Sequence, residues 1–135
     1  MVDELAEVED LELKYDVLIE MGRQLPDIPP EKKVESCRVQ GCQSLVHVYT
    51  VLENGKLRLY GHSDALIVNG LLALLIQGLD GLTPEELLAV DPKFIEKTGI
   101  LATLTPSRAN GFYNIFEKLK AEALIALGKM KEGKA

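Results

Sequence analysis

From Ala65 to about Leu79 the chain is apolar on almost every side, and in the run Ala65 to Ile76 only Asn69 interrupts it. A helix with one apolar stripe can lie on a surface, but one that is apolar all round must be enclosed. The run is also shorter than the roughly 20 residues that a bilayer span needs. It is therefore expected to be the central buried helix, with the rest of the chain wrapped on it. Ser63-Asp64, just before it, supplies N-cap chemistry for a helix beginning near Ala65.

The segments on either side indicate what does the wrapping. Leu11, Tyr15, Leu18, Met21 and Leu25 recur at helical spacing, and Pro26 ends that helix. Asp27 to Glu35, with Pro29-Pro30 and Glu31-Lys32-Lys33, reads as an extended surface loop. Leu45 to Leu52 is β-branched and apolar, and Leu57 to Tyr60 alternates. The intervening Glu53-Asn54-Gly55 marks a type I′ hairpin, because Asn and Gly tolerate positive φ. Thr83-Pro84-Glu85-Glu86 opens a short helix through Leu88, and Asp91-Pro92 opens another that stops at Gly99. Thr105-Pro106 starts the last and longest helix, to about Leu127, followed by a charged tail from Lys129. Together these predict an α+β sandwich with a small antiparallel sheet covered on one side by helices. A third strand has no clear place.

At 135 residues the chain fits one domain and can bury a core without metal or disulfide. Its net charge of −6, from 21 acidic and 15 basic residues, argues against nucleic acid as a partner, since phosphate binding needs a basic face. Met1 to Asp10 is acidic and lacks both the basic start and the apolar core of a signal peptide, so a cytoplasmic location and no membrane partner are expected. In that compartment Cys37 and Cys42 are expected as free thiols.

Chemistry concentrates in Val39-Gln40-Gly41-Cys42-Gln43-Ser44, where a thiol stands between a glycine and polar residues instead of inside an apolar run. Such a loop thiol can meet a partner and be activated by nearby charges or amides; it can also be a small, half-buried core residue. Cys37, Cys42, His47 and His62 offer four ligand types for zinc, but C-x4-C is not a common zinc spacing, and no metal is expected. A Cys42–histidine pair for nucleophilic hydrolysis lacks any protease signature around it. Arg108 sits in the first turn of the last helix, where the dipole disfavours a cation. Either a carboxylate pairs with it, or it recognises a partner or steadies a sulfur anion.

Gly41-Cys42-Gln43-Ser44, Gly61-His62-Ser63-Asp64-Ala65 and Leu104-Thr105-Pro106-Ser107-Arg108 with Asn110-Gly111 resemble the SufE family, in the same order. Tyr15, Gly22, Leu25-Pro26, Ile67-Val68 and Gly70 extend the resemblance over the globular part, about residues 9–127, as a single SufE-like domain. The resemblance implies a sulfur acceptor and activator for a cysteine desulfurase of the SufS kind. Cys42 would take a persulfide sulfur and pass it on to an iron–sulfur scaffold, with pyridoxal phosphate on the partner and no cofactor bound here. By matched position, Gly41, Gln43 and Ser44 shape the cysteine loop, while Asp64 and Arg108 contact the thiol or the desulfurase. The resemblance also leads us to expect an apolar pocket over the loop, lined by the sheet and the Ala65 to Ile76 helix.

This chain departs from the family pattern at His47, where tryptophan is usual, at His62, where aspartate is frequent, and at Cys37, where asparagine is frequent. Cys37 is thereby a candidate resolving thiol for a Cys42 persulfide. Pairing with a second copy of the chain stays open. So do two other readings: an iron–sulfur scaffold or metal-binding protein of related fold, and a module that stimulates the desulfurase without carrying sulfur.

Overall fold

The structure, a computed structural model, describes residues 11–41, 44–91, 93–97, 104 and 106–133. Cys42 and Gln43 lie outside them, as do the side chain of Arg108, Met1 to Asp10 and the expected stop at Gly99. The elements run α1 (Leu11–Gln24), β1 (Val46–Glu53), β2 (Lys56–Ser63), α2 (Leu66–Leu79), α3 (Pro84–Ala89), α4 (Lys93–Glu96) and α5 (Pro106–Gly133). Two 3-10 turns, Pro30–Lys32 and Glu35–Cys37, shape the segment between α1 and β1.

The all-apolar helix is central, as expected. Ten of the residues of α2 are buried, and its Leu71, Leu72, Leu74 and Leu75 are almost wholly enclosed. Burial of one such leucine stabilises by about 1.5–3 kcal/mol, so this helix dominates the core. It meets α1 where two glycines face each other. A Cβ at Gly22 would lie 2.6 Å from Leu66 O, and one at Gly70 would run into Leu18 O. Only hydrogen at both positions lets the backbones approach this closely.

Asn69 answers a backbone need in the midst of that apolar surface. Its Oδ1 accepts from Ser63 N at 2.7 Å and its Nδ2 donates to Ser63 O at 2.9 Å, both buried. The last residue of β2 is thereby tied to the first turn of α2, and the corner between them becomes rigid.

β1 and β2 pair antiparallel from Val46↔Ser63 to Glu53↔Lys56. The turn has Asn54 at φ 53° and Gly55 at φ 79°, as the type I′ reading requires. Leu57, Leu59, Gly61 and Ser63 alternate inward along β2, over α2. On the outer face Tyr49 and Tyr60 stack at 4.9 Å, with Lys32 Nζ 4.9 Å from the Tyr49 ring centroid. Among the described residues no third strand forms. Its place is taken by an isolated Arg38↔His47 bridge on β1, and by Gly81 N and Leu82 O bonding Leu57 on the far edge.

Three expectations need correction. Asp64 does not cap α2: Ala65 is the N-cap, without a side-chain bond, and Ser63 Oγ accepts from Ala65 N at 3.1 Å. The segment 27–35 is not simply extended, because its 3-10 turn folds it and Ile28 is buried. And α5 continues past Leu127 to Gly133. A glycine inside a helix costs about 1 kcal/mol, which Gly128 does not turn into a stop when the helix has already buried Phe112, Phe116, Leu119, Ala123 and Ala126. The capping box of α3 is present as expected: Glu86 N donates to Thr83 Oγ1 and Thr83 N to Glu86 Oε1. These bonds from Thr83 hold the Glu86 carboxyl below its ordinary pKa.

Candidate functional site

Gly41 and Ser44, which flank the thiol in sequence, belong to a loop closed at its base by the sheet. Val39 N donates to Val46 O at 2.9 Å, and the Arg38↔His47 bridge lies one residue further out. Residues 40–45 therefore join the bridged Arg38-Val39 stretch to the start of β1. Buried Val39 and Val46 anchor that base in the core, so the loop's ends are fixed.

Gly41 has φ +80°, a left-handed conformation that an L side chain rarely adopts. Asn114 of α5 reinforces the requirement: its Nδ2 donates to Gly41 O at 3.2 Å and would lie 2.6 Å from a Cβ at Gly41. The other end of the loop is held by Asp64. Leu45 N donates to Asp64 Oδ1 at 3.1 Å, and Asp64 N to Leu45 O at 3.2 Å. These two bonds extend the ladder one step beyond Val46↔Ser63. Ser44, the residue before Leu45, is half-buried. The Asn69–Ser63 bonds stiffen the corner from which Asp64 projects.

Cys37 is a buried free thiol in the second 3-10 turn. The carbonyl of its neighbour Ser36 accepts from Lys118 Nζ of α5 at 2.8 Å, and Glu122 lies 3.7 Å from the same ammonium. Gln40 Nε2 donates to Glu35 Oε1 at 2.9 Å across the same stretch. Arg108 belongs to the first turn of α5, so the helix that carries it also reaches the loop.

A cavity of about 440 Å³ opens beside the loop, lined by Lys33, Val34, Glu35, Arg38, Leu45, His47, His62, Ser63 and Asp64. Among its described lining residues none belongs to α2, and most are polar or charged; the apolar pocket expected over Cys42 falls, with that residue, outside the described residues. His47 is buried in its wall, under the 33–38 segment. His62, opposite His47 in the register, pairs through Nδ1 with Asp27 Oδ1 at 3.3 Å. The hydrogen bond from Lys33 foremost, then that from Ile28 N and the charge on His62, hold the Asp27 carboxyl below the ordinary carboxylate range. Burial raises the Tyr49 phenol, with smaller contributions from Tyr60, Glu31 and Cys37.

The structure thus places Gly41 and Ser44 in the loop whose return to β1 Asp64 holds, with Cys37 buried in the 3-10 turn that precedes it. Cys42 and Gln43 are named from the sequence and lie outside the described residues. Among the described residues, no group of three or more His, Cys, Asp or Glu is gathered that could hold a metal ion. No described helix is long and apolar enough to cross a membrane. Asn114 and Lys118 escaped the sequence reading. They act on carbonyls 73 and 82 residues away, and on the helix they look like ordinary solvated positions.

The family model of SufE, the Fe-S metabolism associated domain, matches residues 1–123. An uncharacterized SufE-like protein of Synechocystis is 49% identical over 85% of this chain and 72% of its own length. The sulfur acceptor protein CsdE of Escherichia coli is 40% identical over 86% and 77%. The cysteine desulfuration protein SufE of Plasmodium falciparum is 39% identical over 79% of this chain, which spans only 45% of that relative. A solution structure of a hypothetical protein from Thermus thermophilus, 34% identical, superposes with a TM-score of 0.79 over 94% of this chain and 93% of its own. On the agreement between that family match and the shared α+β fold, the chain belongs to the SufE family.

Proposed function

We propose that the chain is a sulfur acceptor and activator for a cysteine desulfurase, taking a persulfide sulfur on Cys42 and passing it on for iron–sulfur cluster assembly in the cytoplasm. The observation that carries this reading is the family match over residues 1–123, whose relatives include proteins named for cysteine desulfuration and for sulfur acceptance. The loop geometry supports it: a stem fixed in the core and flanks held by a few polar bonds suit a thiol that must meet another protein.

The chemistry is thiol exchange. The Cys42 thiolate attacks the outer sulfur of a persulfide on the desulfurase. A bond forms between Cys42 Sγ and that sulfur, the sulfur–sulfur bond on the donor breaks, and the donor cysteine leaves as a thiolate. The step needs no external oxidant, because the transferred sulfur keeps its oxidation state. Pyridoxal phosphate belongs to the desulfurase, and none is needed on this chain. Gly41, Gln43 and Ser44 set the shape of the loop. Asp64 pins its return to β1, and Arg108 contributes a charge toward the thiol or the partner. Cys37 is the resolving thiol: on attacking the inner sulfur of a Cys42 persulfide it would form a disulfide and release hydrosulfide. Its burial restricts that reaction to moments when the 3-10 turn that carries it opens.

The test is to incubate the protein with a cysteine desulfurase, cysteine and pyridoxal phosphate, and to record intact masses and peptide maps. A reducible gain of about 32 Da on the Cys42 peptide, absent in Cys42→Ser, is the expected result. Unchanged mass with faster desulfurase turnover would replace the acceptor by the activator-only module. A Cys37–Cys42 link should appear after sulfur loading without thiols, and its absence removes the resolving role.

A further inference from the structure

We propose that Asn114 and Lys118 are positioning residues that clamp the thiol loop to α5 and set how readily Cys42 is presented. The inference deepens the acceptor reading and rests on it for its purpose. The two residues are four apart on one helix, hence on the same face one turn apart. Asn114 holds Gly41 O, which belongs to the peptide bond joining Gly41 to Cys42. Lys118 holds Ser36 O, in the peptide bond that joins Ser36 to Cys37. One helix face thus grips the residue before each cysteine.

The clamp is built as a clamp and not as part of the core. The Lys118 side chain is only 25% exposed, and Glu122 at 3.7 Å orients its ammonium along the helix, so its bond to Ser36 O is more than a passing surface contact. Asn114 packs against the one glycine of the loop whose φ of +80° and missing Cβ leave room for an amide. Both bonds end on backbone carbonyls. Water can replace each donor when the loop moves. Each such bond contributes modestly, so the docked loop is favoured without being locked. A donor enzyme can then draw the loop away while Val39 and Val46 keep its stem in the core.

Alkylation of the intact protein by iodoacetamide tests this without a desulfurase. Trypsin cuts after Arg38, so Cys37 and Cys42 report on separate peptides, Val34 to Arg38 and Val39 to Lys56. Asn114→Leu and Lys118→Met should each raise the Cys42 modification rate about threefold, and the double variant about tenfold. Lys118→Arg, which keeps a charged donor, should remain near the wild-type rate. Rates in the double variant equal to or below wild type would overturn the proposal. So would a rise no larger than the loss of global stability seen in urea, which would mark a merely structural role. The desulfurase assay is independent: no persulfide on Cys42 together with faster alkylation in the variants would remove the acceptor reading and leave the clamp.

Discussion

Asn69→Leu probes the corner on which the loop depends. The substitution is close to isosteric and raises helix propensity, so any loss of stability must come from the two hydrogen bonds. Both partners are groups of Ser63, a residue 3% exposed, with Asn69 itself at 6%. Leaving a buried backbone donor and acceptor unpaired costs about 1–3 kcal/mol each, or about 2–6 kcal/mol for the pair. A leucine in that enclosed site returns about 1.5–3 kcal/mol of apolar burial. With both terms taken at the same end of their ranges, the net expectation is a loss of about 0.5–3 kcal/mol. For a chain of this size, at about 3 °C per kcal/mol, Tm falls by about 2–9 °C. Thermal unfolding followed by circular dichroism gives the Tm. Amide exchange should show Ser63 N–H protected in the wild type and exchanging much faster in the variant. A Tm equal to or above wild type would refute the reasoning, because it would mean that water or a backbone shift satisfies Ser63 at no cost.

Gly70→Ala places a Cβ against the Leu18 backbone, which cannot rotate away, so α1 must shift; destabilisation of about 2–3 kcal/mol or more is expected from urea unfolding. The Asp27 carboxyl has its pKa depressed in the fold, chiefly by Lys33, so its contribution is complete above about pH 4 and is lost as pH falls through the lower folded value. Asp27→Asn should therefore be less stable than wild type at pH 6, with the difference shrinking as the pH drops toward 2. A difference in urea midpoint that does not change with pH would show that the carboxylate's charge is not what stabilises this loop.

Much of the architecture could be read along the chain, because it depends on local rules. The apolar circumference of Ala65 to Leu79 demanded enclosure, Asn54-Gly55 demanded a primed turn, and Thr83 with Glu86 spelled out a cap. Family membership was equally legible, since three motifs in fixed order are a property of sequence alone. The candidate site was legible only as residue names. Ser63-Asp64 looks like a cap because local sequence cannot tell a carboxylate facing its own helix from one facing Leu45 across the loop. Asn69 looked like a flaw in an apolar run until a corner was found that needed both its donor and its acceptor. Asn114 and Lys118 are polar positions on an amphipathic helix, and nothing near them in sequence distinguishes them from solvated ones. Their meaning arises when packing of α5 under β1 carries them to Gly41 and Ser36. Short-range steric and hydrogen-bonding preferences thus determined the elements and the thiol motif. Which polar groups converge on the loop was decided by long-range packing, because a hydrogen bond's partner depends on where the chain returns and not on what lies beside it.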